Sequence, residues 1–270
     1  MGTEKTPAAD PKKETFDVTK LEPAIKIEDV WKTFDGKEYV VKGMNLTIPK
    51  GSLTAIIGFS GTGKSVILKH ILGLYRPTRG RIEVLGQDLA HMDNNELTKF
   101  RRRFGVLFQG AALFDDMTVL ENVCFPLIEH RPELSIDEVI QIATQKLVEV
   151  GLEAKHYEKL PSQISGGMQK RTGLARSLAL DPEILFYDEP TTGLDPILTE
   201  MVDNLILETH QRTKATSVMV SHDLQAAFRI ADFVAMLNAG EVLLFGPPDV
   251  FFNTDIELVN KFVAKGMRHQ

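Results

Sequence analysis

Gly58-Phe59-Ser60-Gly61-Thr62-Gly63-Lys64-Ser65 satisfies every fixed position of the phosphate-loop pattern G-x-x-x-x-G-K-[ST]. The apolar run 52–57 precedes it and reads as a short strand. Residues 66–73 follow it with helical spacing. Strand, glycine turn and helix together give the pattern its meaning. Glycines let the backbone curl until successive N–H groups point inward at phosphate oxygens. Gly58, Ser60, Gly61, Thr62 and Gly63 are therefore read as a backbone cradle. The helix start adds unpaired N–H groups and the positive end of its dipole. Lys64 would reach the β- and γ-phosphates of a nucleoside triphosphate, and the Ser65 hydroxyl would bind magnesium.

A phosphate loop needs partners, and Ile184-Leu185-Phe186-Tyr187-Asp188-Glu189 supplies them. A buried strand ending in acids would deliver the Asp188 carboxylate to the magnesium. Side chains alternate along a strand, so Glu189 points elsewhere and is the candidate base for an attacking water. On its own such a strand could simply end in solvated acids. His222 and Gln109 also follow strand-like runs, 216–220 and 104–108, at the edge where open α/β sheets bind ligands. His222 could hold the γ-phosphate and water in line. Gln109 could touch magnesium and report the γ-phosphate.

Outward from these motifs the chain alternates strands with helices, which predicts an α/β fold with a parallel core. Further strands are expected over 24–31, 39–48, 80–86, 233–237 and 241–245, and helices over 96–103, 196–212 and 223–230. Between 110 and 182 the chain is mostly helical. Ser135 and Glu138 form a capping box there, and Ile136, Val139, Ile140, Ala143, Leu147 and Val150 define one apolar face that Gly151 terminates. This segment is expected to be an inserted helical lobe. Asp195 before Pro196 reads as a helix cap. Residues 1–21 read as a disordered leader, 22–250 as one domain and 251–270 as a helical tail. Lys99, Arg101, Arg102 and Arg103 read either as a solvated helix face or as a contact for anionic membrane headgroups.

The chain has 270 residues, 43% of them hydrophobic, enough for a large core. Its net charge of −6 argues against nucleic acid as a partner. A single cysteine, Cys124, excludes an internal disulfide and lies in an apolar stretch, as a packed residue does. No apolar run reaches the roughly 18–20 residues that span a bilayer. The N-terminus lacks the apolar stretch of a signal peptide. Its Met1-Gly2-Thr3-Glu4-Lys5-Thr6 fits the loose myristoylation pattern.

With Ser165-Gly166-Gly167-Met168-Gln169 the set of motifs resembles that of ATP-binding cassette (ABC) ATPases. In family order these are the phosphate loop, Gln109, the signature at Ser165, the strand ending at Glu189, the loop Gly193-Leu194-Asp195 and His222. The likeness covers about residues 24–250. Ile164 and Met168 depart from the usual leucine and glutamine but leave the serine and glycines intact. The resemblance implies a RecA-like mixed sheet core with an antiparallel β subdomain and an inserted α-helical subdomain. It also implies ATP hydrolysis with Mg2+ and adenine stacked on Phe34. It further implies that Ser165, Gly166, Gly167 and Asp195 close over the nucleotide of a second copy, in a homodimer.

Residues 107–130 resemble a narrower branch, the ATPases of the Mla system that maintains outer-membrane lipid asymmetry in Gram-negative bacteria. The residues that carry this are Asn122-Val123, Phe125-Pro126-Leu127 and Glu129-His130. In ABC ATPases this stretch meets the permease. The branch implies a phospholipid-carrying permease (MlaE-like), an MCE-domain protein (MlaD-like) and a STAS-domain subunit (MlaB-like). It implies residence on the cytoplasmic face of the inner membrane, and a tail from Asp255 that reaches the opposite ATPase. An ATPase of a small-solute importer carries the same motifs and is the alternative. A non-transport ABC ATPase of DNA repair or translation is disfavoured by the acidic balance.

Overall fold

The computed structural model describes residues 21–267. The leader, with its myristoylation pattern, lies outside the described residues up to residue 20, as do the last three residues of the tail. The main sheet has six strands: β3 (Leu53–Gly58), β6 (Phe104–Leu107), β7 (Ile184–Asp188), β8 (Thr216–Val220), β9 (Phe233–Asn238) and β10 (Glu241–Gly246). Their spatial order is β10-β9-β3-β8-β7-β6. All neighbours are parallel except β10, which turns back antiparallel along β9. A separate antiparallel sheet holds β1 (Pro23–Thr33), β2 (Tyr39–Pro49), β4 (Arg79–Val84) and β5 (Gln87–Asp88) in the order β2-β1-β4-β5. The mixed core, the antiparallel sheet and the helical insertion are the fold class that the motifs imply.

Period-two alternation sorts each central strand between two hydrophobic cores. Leu53, Ala55 and Ile57 of β3, Leu185 and Tyr187 of β7 and Met219 of β8 face one core. Ile56, Ile184, Phe186, Val218 and Val220 face the other. The second core joins the main sheet to the antiparallel sheet and to α1 (Lys64–Ile71). The first is covered by the insertion: α3 (Val119–His130), α4 (Ile136–Glu149) and α5 (Gly166–Leu178), with α2 (Asn94–Phe100) coming before it in the chain. Capping boxes start α2 at Asp93 and Glu96, α3 at Thr118 and Glu121, and α4 at Ser135 and Glu138. Strands buried on both faces read as continuous apolar runs, which is why β3, β7 and β8 are located in the sequence to within a residue.

The expected face of α4 needs correction. Val139, Ala143 and Leu147 are buried, but Ile136 and Ile140 are 63% and 41% exposed. The buried stripe follows the 139, 143, 147 spacing, and Ile136 and Ile140 lie on the flank turned from the core. The tail carries two helices. After α6 (Pro196–Thr213) and α7 (Leu224–Ile230) come α8 (Pro248–Phe252) and α9 (Glu257–Gly266). The tail folds back on its own chain, because Phe251, Val259 and Val263 bury their side chains in the first core. Phe262 sets its ring 4.6 Å from that of Phe59 in the phosphate loop. Among the described residues no helix is long and apolar enough to cross a membrane.

Candidate nucleotide site

The site residues converge because the strands that carry them end side by side. Ile56 of β3 and Asp188 of β7 both pair with Val220 of β8. The loops leaving β3, β7 and β8 therefore share the carboxyl edge of the parallel sheet.

Gly58 opens the phosphate loop with φ of 146°, and a Cβ there would collide with the Leu237 carbonyl oxygen. Gly63, at the start of α1, is left-handed with φ of 101°. Thr62 donates its hydroxyl to the Phe59 carbonyl at 2.9 Å. The buried Lys64 ammonium donates to the carbonyls of Gly58 at 2.8 Å and Phe59 at 3.0 Å. Burial pushes its pKa down, and the negative charge of Glu189 opposes that. The ammonium is thus held by the loop's own carbonyls where a phosphate would be cradled.

Glu189 is the centre of the second half. Its backbone is left-handed at φ of 48°, a conformation that costs a non-glycine residue about 1–3 kcal/mol. Its N–H is fixed by the Val220 carbonyl at 2.9 Å. One carboxylate oxygen accepts the Thr192 hydroxyl at 2.9 Å, and the other lies 2.8 Å from His222 Nε2. A carboxylate only accepts, so Nε2 carries the proton in this contact. Asp188 is half-buried. Burial and then the neighbouring Glu189 raise its pKa, and Lys69 opposes the rise.

A divalent cation suits this edge. The Ser65 hydroxyl, the Gln109 amide oxygen and the Asp188 carboxylate would offer it oxygen donors, and burial and the neighbouring Glu189 disfavour a bare charge on Asp188. Among the described residues no group of three or more His, Cys, Asp or Glu could hold a metal.

Gln109 leaves β6 into an exposed loop that is tied down behind. Its carbonyl accepts from the buried Lys170 ammonium. Arg176 donates to the Ala111 carbonyl at 2.7 Å. The fully buried Asn122 accepts from Phe114 N at 2.9 Å and donates to the carbonyls of Phe114, Met117 and Thr118. Lys170 and Arg176 are not among the sequence candidates, and Asn122 figures there only in the resemblance of residues 107–130. Asn122 also left a physical signal, a polar residue between Val119 and Val123 on an otherwise apolar helix face.

Ser165 caps α5, its hydroxyl accepting from Met168 N at 3.4 Å. A Cβ on Gly166 would meet open space, whereas one on Gly167 would lie 2.8 Å from Met201 Cε of α6. α5 packs on α3, α4, α6 and β6. In sheet order β6 is three strands from β3, about 14 Å. Within one chain the Glu189 charge acts on Lys64, and Glu189 contacts His222. Asp195 Oδ1 accepts from Ile197 N and Leu198 N, both at 3.0 Å, and starts α6.

Phe34 is 58% exposed, with its ring 5.3 Å from Tyr75 and the Lys32 ammonium 5.1 Å above it. Trp31 and Tyr39 pack on each other at 5.2 Å. Cys124 is buried and its thiol is pushed up to about 11 by desolvation, so it packs rather than reacts. Arg101 donates to the Leu72 and Gly73 carbonyls, and Arg103 pairs with Glu183. Half of the basic cluster is thereby committed to structure.

A phosphate loop, a strand-end acid pair and a histidine on one sheet edge define a P-loop nucleotide-binding protein. The chain belongs to the ABC transporter family, whose profile matches residues 41–192. It is 40% identical over 240 residues to the probable ribonucleotide transport ATP-binding protein mkl of Mycobacterium tuberculosis, covering 89% of this chain and 66% of that protein. It thus spans just under two thirds of that relative. It is also 40% identical over 211 residues to the intermembrane phospholipid transport system ATP-binding protein MlaF of Haemophilus influenzae, covering 78% and 79%. Methionine import ATP-binding protein MetN 2 of Pseudomonas entomophila is 37% identical over 245 residues, covering 89% and 72%. Among solved structures, the dimeric post-hydrolysis state of the ATP-binding cassette MJ0796 with ADP and Pi superposes with a TM-score of 0.75. That chain is 35% identical, with 83% of this chain and 98% of the other covered.

Proposed function

We propose that this chain hydrolyses ATP as the energy-coupling subunit of a phospholipid transporter, working as a homodimer on a membrane permease. The observation that carries the hydrolytic part is the contact between Glu189 and His222 at the mouth of the phosphate loop. Lys64 and the loop N–H groups bind the phosphates, Phe34 offers a face to adenine, and Glu189 takes the proton of the attacking water. His222 orients Glu189 and the γ-phosphate. Magnesium held by Ser65, Gln109 and Asp188 would neutralise charge on the β- and γ-phosphates. Ser165 and Gly166 would be supplied by a second copy, as the resemblance implies. The dimeric MJ0796 structure supports that arrangement.

The transported class rests on the MlaF likeness and on residues 107–130. Phe108, Phe114, Phe125 and Pro126 line a groove of about 470 Å3 together with Arg102 and Arg176. Such an apolar groove suits a short amphipathic helix of a permease. MCE-domain and STAS-domain partners, and a place at the cytoplasmic face of an inner membrane, follow from the same reading. The MetN likeness favours the second reading, an importer of a small solute. Purification with the permease and mass spectrometry of bound molecules separates the two. Co-purified phospholipid is expected, and a bound amino acid with no lipid would reverse the choice.

A further inference from the structure

Two helices begin beside the reacting groups. α6 starts at Asp195, and α7 starts immediately after His222, where Asp223 Oδ1 accepts from Ala226 N at 3.0 Å. Each loop is therefore rigidly attached to its helix. Near its far end α7 is joined to α6 by Arg229. The guanidinium donates to Asp203 Oδ2 at 2.7 Å and to Asn204 Oδ1 at 3.4 Å, and lies 3.9 Å from Glu200.

Asp203 is 1% exposed, and its Oδ1 has no hydrogen-bond partner. Beside the pair is a cavity of about 440 Å3, lined also by Leu194, Pro196, Asp223 and Gln225, the residues at the two helix starts. The Arg229 side chain is 42% exposed and only Asp203 is buried, and a partly solvated ion pair adds little to stability. What it supplies is direction. The forked guanidinium fits its acceptors in one relative placement of the helices.

We infer that Asp203 and Arg229 are a positioning pair for ATP turnover. They lock α6 to α7, so that the Asp195 loop and His222 keep one fixed relation beside Glu189. The inference rests on the reading of this chain as an ATPase. Neither residue lies on β3 or α1, the elements that form the phosphate loop. Loss of the pair should therefore slow turnover without weakening ATP binding.

Steady-state ATPase assays on the full-length chain, with melting curves beside them, test this. Arg229→Met should lower kcat about tenfold or more, as a small misplacement of reacting groups does, with KM for ATP within about twofold. Arg229→Lys keeps the charge but not the fork and should recover only part of the loss. Asp203→Asn combined with Arg229→Met removes both charges, leaves no unpaired buried carboxylate, and should melt near the wild type with the same kcat defect. A normal kcat in the double variant, a KM that rises in step, or loss of folding in all three variants would make the pair structural and overturn the inference. Glu189→Gln, run in parallel, reports on the ATPase reading itself. If it turns over ATP like the wild type, that assignment fails independently of the pair.

Discussion

His222 Nε2 sits 2.8 Å from a carboxylate oxygen of Glu189, while the other oxygen accepts the Thr192 hydroxyl at 2.9 Å. The acid is held from two sides, on a backbone whose positive φ directs it away from the strand. An acid so oriented suits the role of base proposed for it.

Glu189→Gln preserves shape and both neighbours but removes the base. Hydrolysis should fall by about 10²–10⁴, the usual contribution of a general base. ATP affinity should stay, and an ATP-bound dimer should accumulate. Single-turnover hydrolysis and size-exclusion chromatography with ATP check this. Turnover near the wild-type rate would remove Glu189 from the mechanism.

Lys64→Ala acts on a different step. It removes the ammonium that now rests on the Gly58 and Phe59 carbonyls and would transfer to phosphate. A charged hydrogen bond contributes about 1.5–3 kcal/mol, so ATP should bind roughly 10–100-fold more weakly. Titration with a fluorescent ATP analogue measures this, and unchanged affinity would contradict the role.

These two variants probe the half of the site that the sequence exposes most directly. Gly58–Ser65 and Ile184–Glu189 are legible because chemistry fixes residue types at fixed spacing, and because doubly buried strands read as apolar runs. The supports behind them are not legible. Lys170 reaches Gln109 and Arg176 reaches Ala111 across more than sixty positions of chain, and no local pattern announces such a pairing. Ile136 and Ile140 mislead for a related reason. Apolar spacing marks a helix face, but only packing decides how wide a stripe is covered.

Asn122 is the support with the clearest energetic consequence. Asn122→Ala leaves the N–H and carbonyl of Phe114 and the Met117 carbonyl without their side-chain partner. Unsatisfied buried groups cost about 1–3 kcal/mol each, less where water enters, so a net loss of about 3 kcal/mol is expected. For a chain of this size that is a drop of roughly 6–10 °C in melting temperature. Calorimetry checks it, and a shift under one degree would show that the loop reorganises at no cost.

Asp203 gives a pH-dependent prediction. Burial raises its pKa from 3.8 to about 6, against the opposing pull of Arg229. The folded state therefore holds a proton that the unfolded chain releases between about pH 4 and 6. The sign follows from linkage: the stabilising contribution is complete below the unfolded pKa and is lost as pH rises through the folded one. Asparagine mimics the protonated acid at every pH. Asp203→Asn should match the wild type near pH 4 and exceed it progressively up to pH 7, by about 3 kcal/mol at the limit. Urea unfolding at a series of pH values measures the difference. If Arg229 fully compensates the buried charge, the two curves stay parallel and the predicted divergence is absent. A divergence means that the chain retains a carboxylate at a cost in stability at neutral pH, as expected of a residue kept for where it holds α7 rather than for how tightly it holds the fold.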